Sequence, residues 1–159
     1  MSDIVIVSPH PDDEIISSFE ILTNSKDYSN VIVVYTAVIN ETRKKEALNL
    51  KIYTNVKHQF FNRSIPPLLL NKENIFYFPD PVYETHPVHR LQGSIGEQLL
   101  RNGFNVIFYS INMQAPYCHE VVDPIKKETL LNKVYPSQKS MWTQDAKYYL
   151  FEGRCKWLM

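Results

Sequence analysis

Residues 8–14 read Ser-Pro-His-Pro-Asp-Asp-Glu, placing one imidazole and three carboxylates in a single turn between an apolar run and apolar residues at helical spacing. In α/β proteins the turn after the first strand is where a nucleotide-binding unit carries glycines, so that backbone amides can approach a pyrophosphate. This turn has no glycine, and its carboxylates would repel a phosphate unless a cation lay between them. A bound metal is the economical reading. His10 and Asp13 are three residues apart, which lets an imidazole and a carboxylate face one ion, as zinc ligation requires. A third ligand must come from elsewhere, and His86-Pro87-Val88-His89 offers two histidines just past another apolar run. Either one closes a His-His-Asp set with a position left for water, the feature that separates a catalytic from a structural zinc. Without His10 beside them, Asp12, Asp13 and Glu14 would read as helix capping and dipole compensation. His58 and His119 read as ordinary loop or core histidines, and Cys118-His119 has no second pair at metal spacing.

Those side chains need a frame. Ile4-Val5-Ile6-Val7 is a continuous β-branched run, the signature of a strand buried on both faces, and residues 31–34 repeat it. Ile15, Ile16, Phe19 and Leu22 fit an amphipathic helix between them. Residues 42–53 are rich in good helix formers. Further strands are expected at residues 58–61, 75–78 and 106–109, with a proline-bearing loop over residues 79–89. Leu91, Ile95 and Leu99 mark a helix over residues 90–101, and Gly103 fits its terminating cap. One more helix is expected near residues 124–135, and the aromatic residues 148–157 have no secure assignment. Alternating strands and helices predict an α/β fold: a Rossmann-like open, mostly parallel β-sheet with helices on both faces. In such a sheet the site lies outside the carboxyl ends of the strands, where both histidine-bearing segments fall.

The chain has 159 residues, a length that predicts a single domain over 1–159. Lys+Arg and Asp+Glu both number 17, so no net positive charge and no basic run argue for general nucleic-acid binding. The apolar stretch at residues 31–39 is interrupted by Tyr35 and Thr36 and is far shorter than a membrane span needs. With an acidic residue at position 3 and no signal-like run, a cytoplasmic protein is expected. Cys118 and Cys155 are expected to be reduced thiols. Tyr83, Tyr117 and Trp142 could stack on a sugar ring, although surface or core aromatics are the commoner outcome.

The residues also carry a family resemblance. Strand-Pro-His-Pro-Asp-Asp-Glu-helix followed by His-Pro-x-His resembles the zinc-dependent N-deacetylases of the LmbE/PIG-L type, which remove acetyl groups from N-acetylglucosamine-containing substrates. Arg43-Lys44-Lys45-Glu46-Ala47 is similar to that family's R-x-x-E-A helix, and Tyr135-Pro136-Ser137-Gln138 to its late H-x-S-Q segment. The resemblance implies Zn²⁺ held by His10, Asp13 and His89, Asp12 as general base, and His86 as the protonated group that steadies the oxyanion and helps protonate the leaving amine. It places Arg43 near the substrate, an N-acetylated small molecule or glycoconjugate. Val88 stands where the family has aspartate, so another carboxylate, Asp80 or Glu84, would have to orient the ligating imidazole. The alternative readings are a catalytically inactive metal- or carbohydrate-binding module, a metal-dependent phosphoesterase, and a closed structural zinc using both His86 and His89.

Overall fold

The structure is a computed structural model that describes residues 2–24, 30–37 and 40–154. Five strands, β1 (Ile4–Ser8), β2 (Val31–Tyr35), β3 (Val56–Phe61), β4 (Ile75–Pro79) and β5 (Asn105–Tyr109), form one all-parallel sheet in the order β3-β2-β1-β4-β5. Every residue of β1 and β2 is buried, as expected of β-branched runs that pack on both faces. Ile4, Ile6, Val31 and Val33 face one apolar cluster, and Val5, Val7, Ile32 and Val34 face the other. The first face is covered by α1 (Asp13–Thr23) and α5 (Pro124–Val134), and the second by α4 (Pro87–Arg101). This is the open, Rossmann-like α/β sheet that the strand pattern predicts.

The single helix expected over residues 42–53 is two: α2 (Glu41–Leu48), capped by Asn40 Oδ1 accepting from Arg43 N, and α3 (Leu50–Tyr53). α4 begins three residues earlier than the apolar spacing predicts, because Pro87 occupies its first turn, where a missing N–H costs nothing. Its buried face is His89, Gln92, Gly93 and Gly96, not the leucine stripe; Leu91 is 62% exposed. The reason is close approach: a Cβ on Gly93 would lie 2.6 Å from Pro79 O and 2.7 Å from Pro81 N. Gly103, at φ +88, follows the helix as expected of an αL cap.

Four elements lie outside the expected pattern. α6 (Lys139–Gln144) follows α5, and a two-stranded antiparallel sheet pairs β6 (His119–Glu120) with β7 (Phe151–Glu152) next to α7 (Lys147–Leu150). Cys155 and the remainder of the C-terminal aromatic segment lie outside the described residues, as do Val38, Ile39 and Met1. Among the described residues no helix is long and apolar enough to cross a membrane.

Candidate metal centre

All five parallel strands end on one side, at Ser8, Tyr35, Phe61, Pro79 and Tyr109. The segments leaving β1 and β4, together with α2 beyond β2, bring the predicted residues into one cleft of about 350 Å³, lined by His10, Asp12, Asp13, Arg43, His86 and His89 among others. Within it three ligand atoms converge. His89 Nε2 lies 3.1 Å from His10 Nδ1 and 3.1 Å from Asp13 Oδ2, and His10 Nδ1 lies 3.5 Å from Asp13 Oδ2. Tetrahedral zinc ligands at about 2.0–2.1 Å stand roughly 3.3 Å apart, so this triangle has the dimensions of such a set.

The donor chemistry agrees with the dimensions. His89 Nδ1 is 3.0 Å from Glu84 Oε1; with its ring proton given to that carboxylate, a neutral His89 turns a lone pair from Nε2 toward another ring nitrogen and a carboxylate oxygen. Three acceptors that close need a proton or a cation among them. In the metal-free protein a proton takes that place. Burial alone would lower the His89 pKa, but the Asp13 and Glu84 carboxylates overcome it and push it up to about 10. For Asp13, burial would raise the carboxyl, but His89 and His10 outweigh that and hold it well below the usual carboxylate range. The residues present therefore fit a divalent ion with His10, Asp13 and His89 as protein ligands.

Glu84, not Asp80, is the carboxylate that orients the His89 imidazole. Glu84 is buried, and besides His89 it accepts from Ile111 N at 2.8 Å, tying the imidazole to the loop after β5. Asp80 instead shapes the loop after β4: its Oδ1 accepts from Val82 N and Tyr83 N, and its Oδ2 from Tyr117 OH at 2.6 Å.

Asp12 occupies the N-cap of α1 with φ 107 and ψ −29, left-handed backbone that a non-glycine residue rarely adopts. Such strain, of order 1–3 kcal/mol, persists only where neighbours over-determine it. Here Glu14 does so. Its Oε2 accepts from Asp12 N at 3.0 Å and from Ser8 Oγ at 3.1 Å, while its Oε1 accepts from Tyr135 OH and from Tyr35 OH at 3.3 Å. Arg43 holds the turn from the other side, donating to Pro11 O at 2.7 Å and to Asp12 Oδ2 at 3.3 Å. Arg43 lines the cleft as predicted, but its guanidinium serves Asp12 first; among its nitrogens Nε is buried without a hydrogen-bond partner. Burial raises the Asp12 pKa well above the ordinary value, Asp13 adds to this, and Arg43 opposes it.

His86 caps α4: its Nδ1 accepts from Val88 N at 3.2 Å, and its ring centroid is 5.0 Å from those of both His10 and His89. The cap fixes the tautomer, leaving Nε2–H as the donor. Burial, and then the charges of His89 and His10, lower its pKa, which favours the neutral donor over the protonated form. His86 is not in the ligand triangle, which leaves the cleft open.

Three further lining residues carry no signal in the motifs. Asn112, Met141 and Tyr148 enter from the loop after β5, from α6 and from α7. Gln138 is brought in by buried Glu46, whose carboxylate accepts from Ser137 N at 2.9 Å and from Ser137 Oγ. The two short segments Arg43–Ala47 and Tyr135–Gln138 thus meet. None of the three aromatics singled out by the sequence lines the cleft. Trp142 is in the core, bonded to Asn132 Oδ1, and Tyr83 packs edge-on against Tyr117.

A second group of metal-ligating type is Glu20, His119 and Glu152. Arg154 already sits among them, 3.5 Å from Glu20 Oε2 and 3.2 Å from Glu152 Oε2. Burial pushes the Glu152 carboxyl up to about 7 and the neighbouring Lys127 ammonium down to about 7, so the cluster carries little charge that Arg154 does not meet. Glu20 is also seven residues beyond Asp13 on α1, about 10 Å at 1.5 Å per residue, too far for a two-metal centre with ions about 4 Å apart. No family model matches the chain and no curated protein matches it.

Proposed function

We propose that this protein is a zinc-dependent amidohydrolase of the LmbE/PIG-L type that removes an N-acetyl group from an N-acetylglucosamine-like or related N-acylated substrate. The observation that carries the reading is the triangle of His10 Nδ1, Asp13 Oδ2 and His89 Nε2 in an open cleft, with Asp12 and His86 on its walls. An ion held there supplies Lewis acidity and lowers the pKa of water from about 16 to about 7.

The chain's own residues do the rest. Asp12, whose carboxyl is raised by burial and steered by Arg43, takes a proton from the attacking water as its oxygen bonds to the amide carbon. His86 Nε2–H donates to the oxygen that gains charge, a preorganised contact of the kind that contributes about 3–4 kcal/mol to the transition state. Asp12 then returns the proton to the amide nitrogen, the C–N bond breaks, and acetate and a free amine leave. Glu14 keeps Asp12 in its left-handed geometry throughout.

Among the described residues the cleft holds a single ion-sized ligand set, which disfavours a phosphoesterase with a pair of metal ions. The test is release of acetate and amine from a panel of N-acetylglucosamine conjugates by the zinc-loaded protein, with His10→Ala as control. Turnover lost in the control supports the reading; a metal-loaded protein that releases phosphate and no amine, or turns over nothing in the panel, overturns it.

A further inference from the structure

A second cavity of about 190 Å³ lies beside the metal cleft, outside the carboxyl ends of β2 and β3. Only the first turns of α2 separate the two: Arg43 lines the metal cleft, and Glu41 and Lys44 line this one. The remaining polar wall is Thr36, Asn62 and Arg63, with Phe61 on one side.

Three observations point to a ligand here. Thr36 is 6% exposed, and while its N–H is bonded to Ser8 O, its Oγ1 meets no hydrogen-bond partner among the described residues. A buried hydroxyl left alone is costly, and a ligand oxygen is a natural partner for it. Next, neither Lys44 nor Arg63 forms an ion pair with a carboxylate among the described residues. Lys44 is instead held over the Phe61 ring, its ammonium 5.3 Å from the centroid, and that ring stacks on Tyr35 at 4.8 Å. Finally, Asn62 Oδ1 accepts from Arg63 N at 3.0 Å, which orients the side chain and leaves its amide hydrogens as donors. Two cations, a hydroxyl and an amide thus line one concavity, opposed only by the exposed carboxylate of Glu41.

We propose that this cavity binds a phosphate group, with Thr36 Oγ1 and the Asn62 amide donating hydrogen bonds and Lys44 and Arg63 balancing the charge. The phosphate is either free or the charged end of a molecule whose amide reaches the metal cleft; this second source rests on the deacetylase reading, and the site itself does not.

The test is a titration of the full chain with inorganic phosphate, followed by calorimetry and by the amide NMR signals of Thr36 and Asn62. Saturable binding is expected, weakened about tenfold or more by Lys44→Ala or Arg63→Ala, the loss of one charged hydrogen bond. Thr36→Val, which keeps the shape, weakens it too, and Glu41→Gln tightens it. No saturation up to about 10 mM phosphate, a low-affinity limit for any specific site, overturns the proposal. So does binding that folded Lys44→Ala and Arg63→Ala leave unchanged. A second arm compares N-acetylglucosamine with its phosphate ester as substrates. A lower KM for the ester, lost in Lys44→Ala with kcat kept, identifies a substrate-borne phosphate. Equal KM values with phosphate binding intact identify free phosphate as the ligand. Because the first arm reads binding alone, it stands or falls apart from the deacetylase assignment.

Discussion

Replacing Glu84 by glutamine separates the role of the carboxylate from that of the fold. Glu84 is buried, and one oxygen serves two donors, His89 Nδ1 at 3.0 Å and Ile111 N at 2.8 Å. Glutamine keeps the volume and one acceptor oxygen but loses the charge, and its NH₂ cannot accept. With its NH₂ in the place of that oxygen both donors lose their acceptor, and with its oxygen there the NH₂ faces Asn112 N, a donor to Glu84 Oε2 at 3.5 Å, so the imidazole keeps at best a neutral partner. Loss of such a contact to a ligating histidine weakens metal binding by about 10–100-fold, or about 1.4–2.7 kcal/mol. The leaving carboxylate also steadies the His89 proton, so its removal lets that proton go more readily and pulls the effect toward the lower end of the range. The assay is zinc competition against a chromophoric chelator at pH 7.5, with the thermal midpoint of the metal-free protein as the folding control. A folded Glu84→Gln variant with wild-type zinc affinity would refute the assignment of Glu84 as the orienting group.

Three further outcomes are expected. Asp12→Asn keeps the metal but loses at least about 100-fold in kcat, the scale of general base catalysis, whereas Asp12→Gly relieves the left-handed backbone at φ 107 and raises the chelator-treated protein's stability by about 1 kcal/mol; equal kcat in Asp12→Asn removes it from the base role. Gly93→Ala puts a methyl group against Pro79 O and Pro81 N and should cost about 1–3 kcal/mol in urea unfolding while reducing zinc affinity through the shift of His89; a neutral effect on both contradicts the close approach of α4 to the end of β4. The pH dependence follows from His89. Its folded pKa, about 10, lies above the ordinary 6.5, so its contribution to metal-free stability is fully present below pH 6.5 and is lost as pH rises through about 10. Urea midpoints of chelator-treated protein should fall more steeply from pH 7 to 10.5 than those of His89→Gln, and parallel slopes would contradict the raised pKa.

The sheet was legible because its central strands are uninterrupted apolar runs, which only a strand covered on both faces can bury; β1 and β2 follow that pattern residue for residue. Residue type and spacing alone point to His10, Asp13 and one of His86 and His89, whereas the choice of His89 and the roles given to Asp12 and His86 rest on the family resemblance. What could not be read depends on contacts between segments distant in the chain. The pairing of Glu84 with His89 needs the turn built by Asp80, and Gln138 reaches the cleft only because Glu46 grips Ser137. The early start of α4 was signalled by Pro87 after His86, an N1 proline behind a capping side chain, yet the apolar spacing from Leu91 onward points to a later start and to the wrong buried face. Tyr148 and Met141 sit on helices of six residues or fewer, too short to leave a periodic pattern.

X-ray absorption at the zinc edge, on protein reconstituted with one equivalent of zinc, addresses the ligand set directly. One tightly bound ion per chain is expected, in a shell of two imidazoles and oxygen donors, with the imidazole scattering halved in His89→Ala. An ion bound with equal affinity and an unchanged spectrum in both His10→Ala and His89→Ala, or a shell containing sulfur, would contradict it.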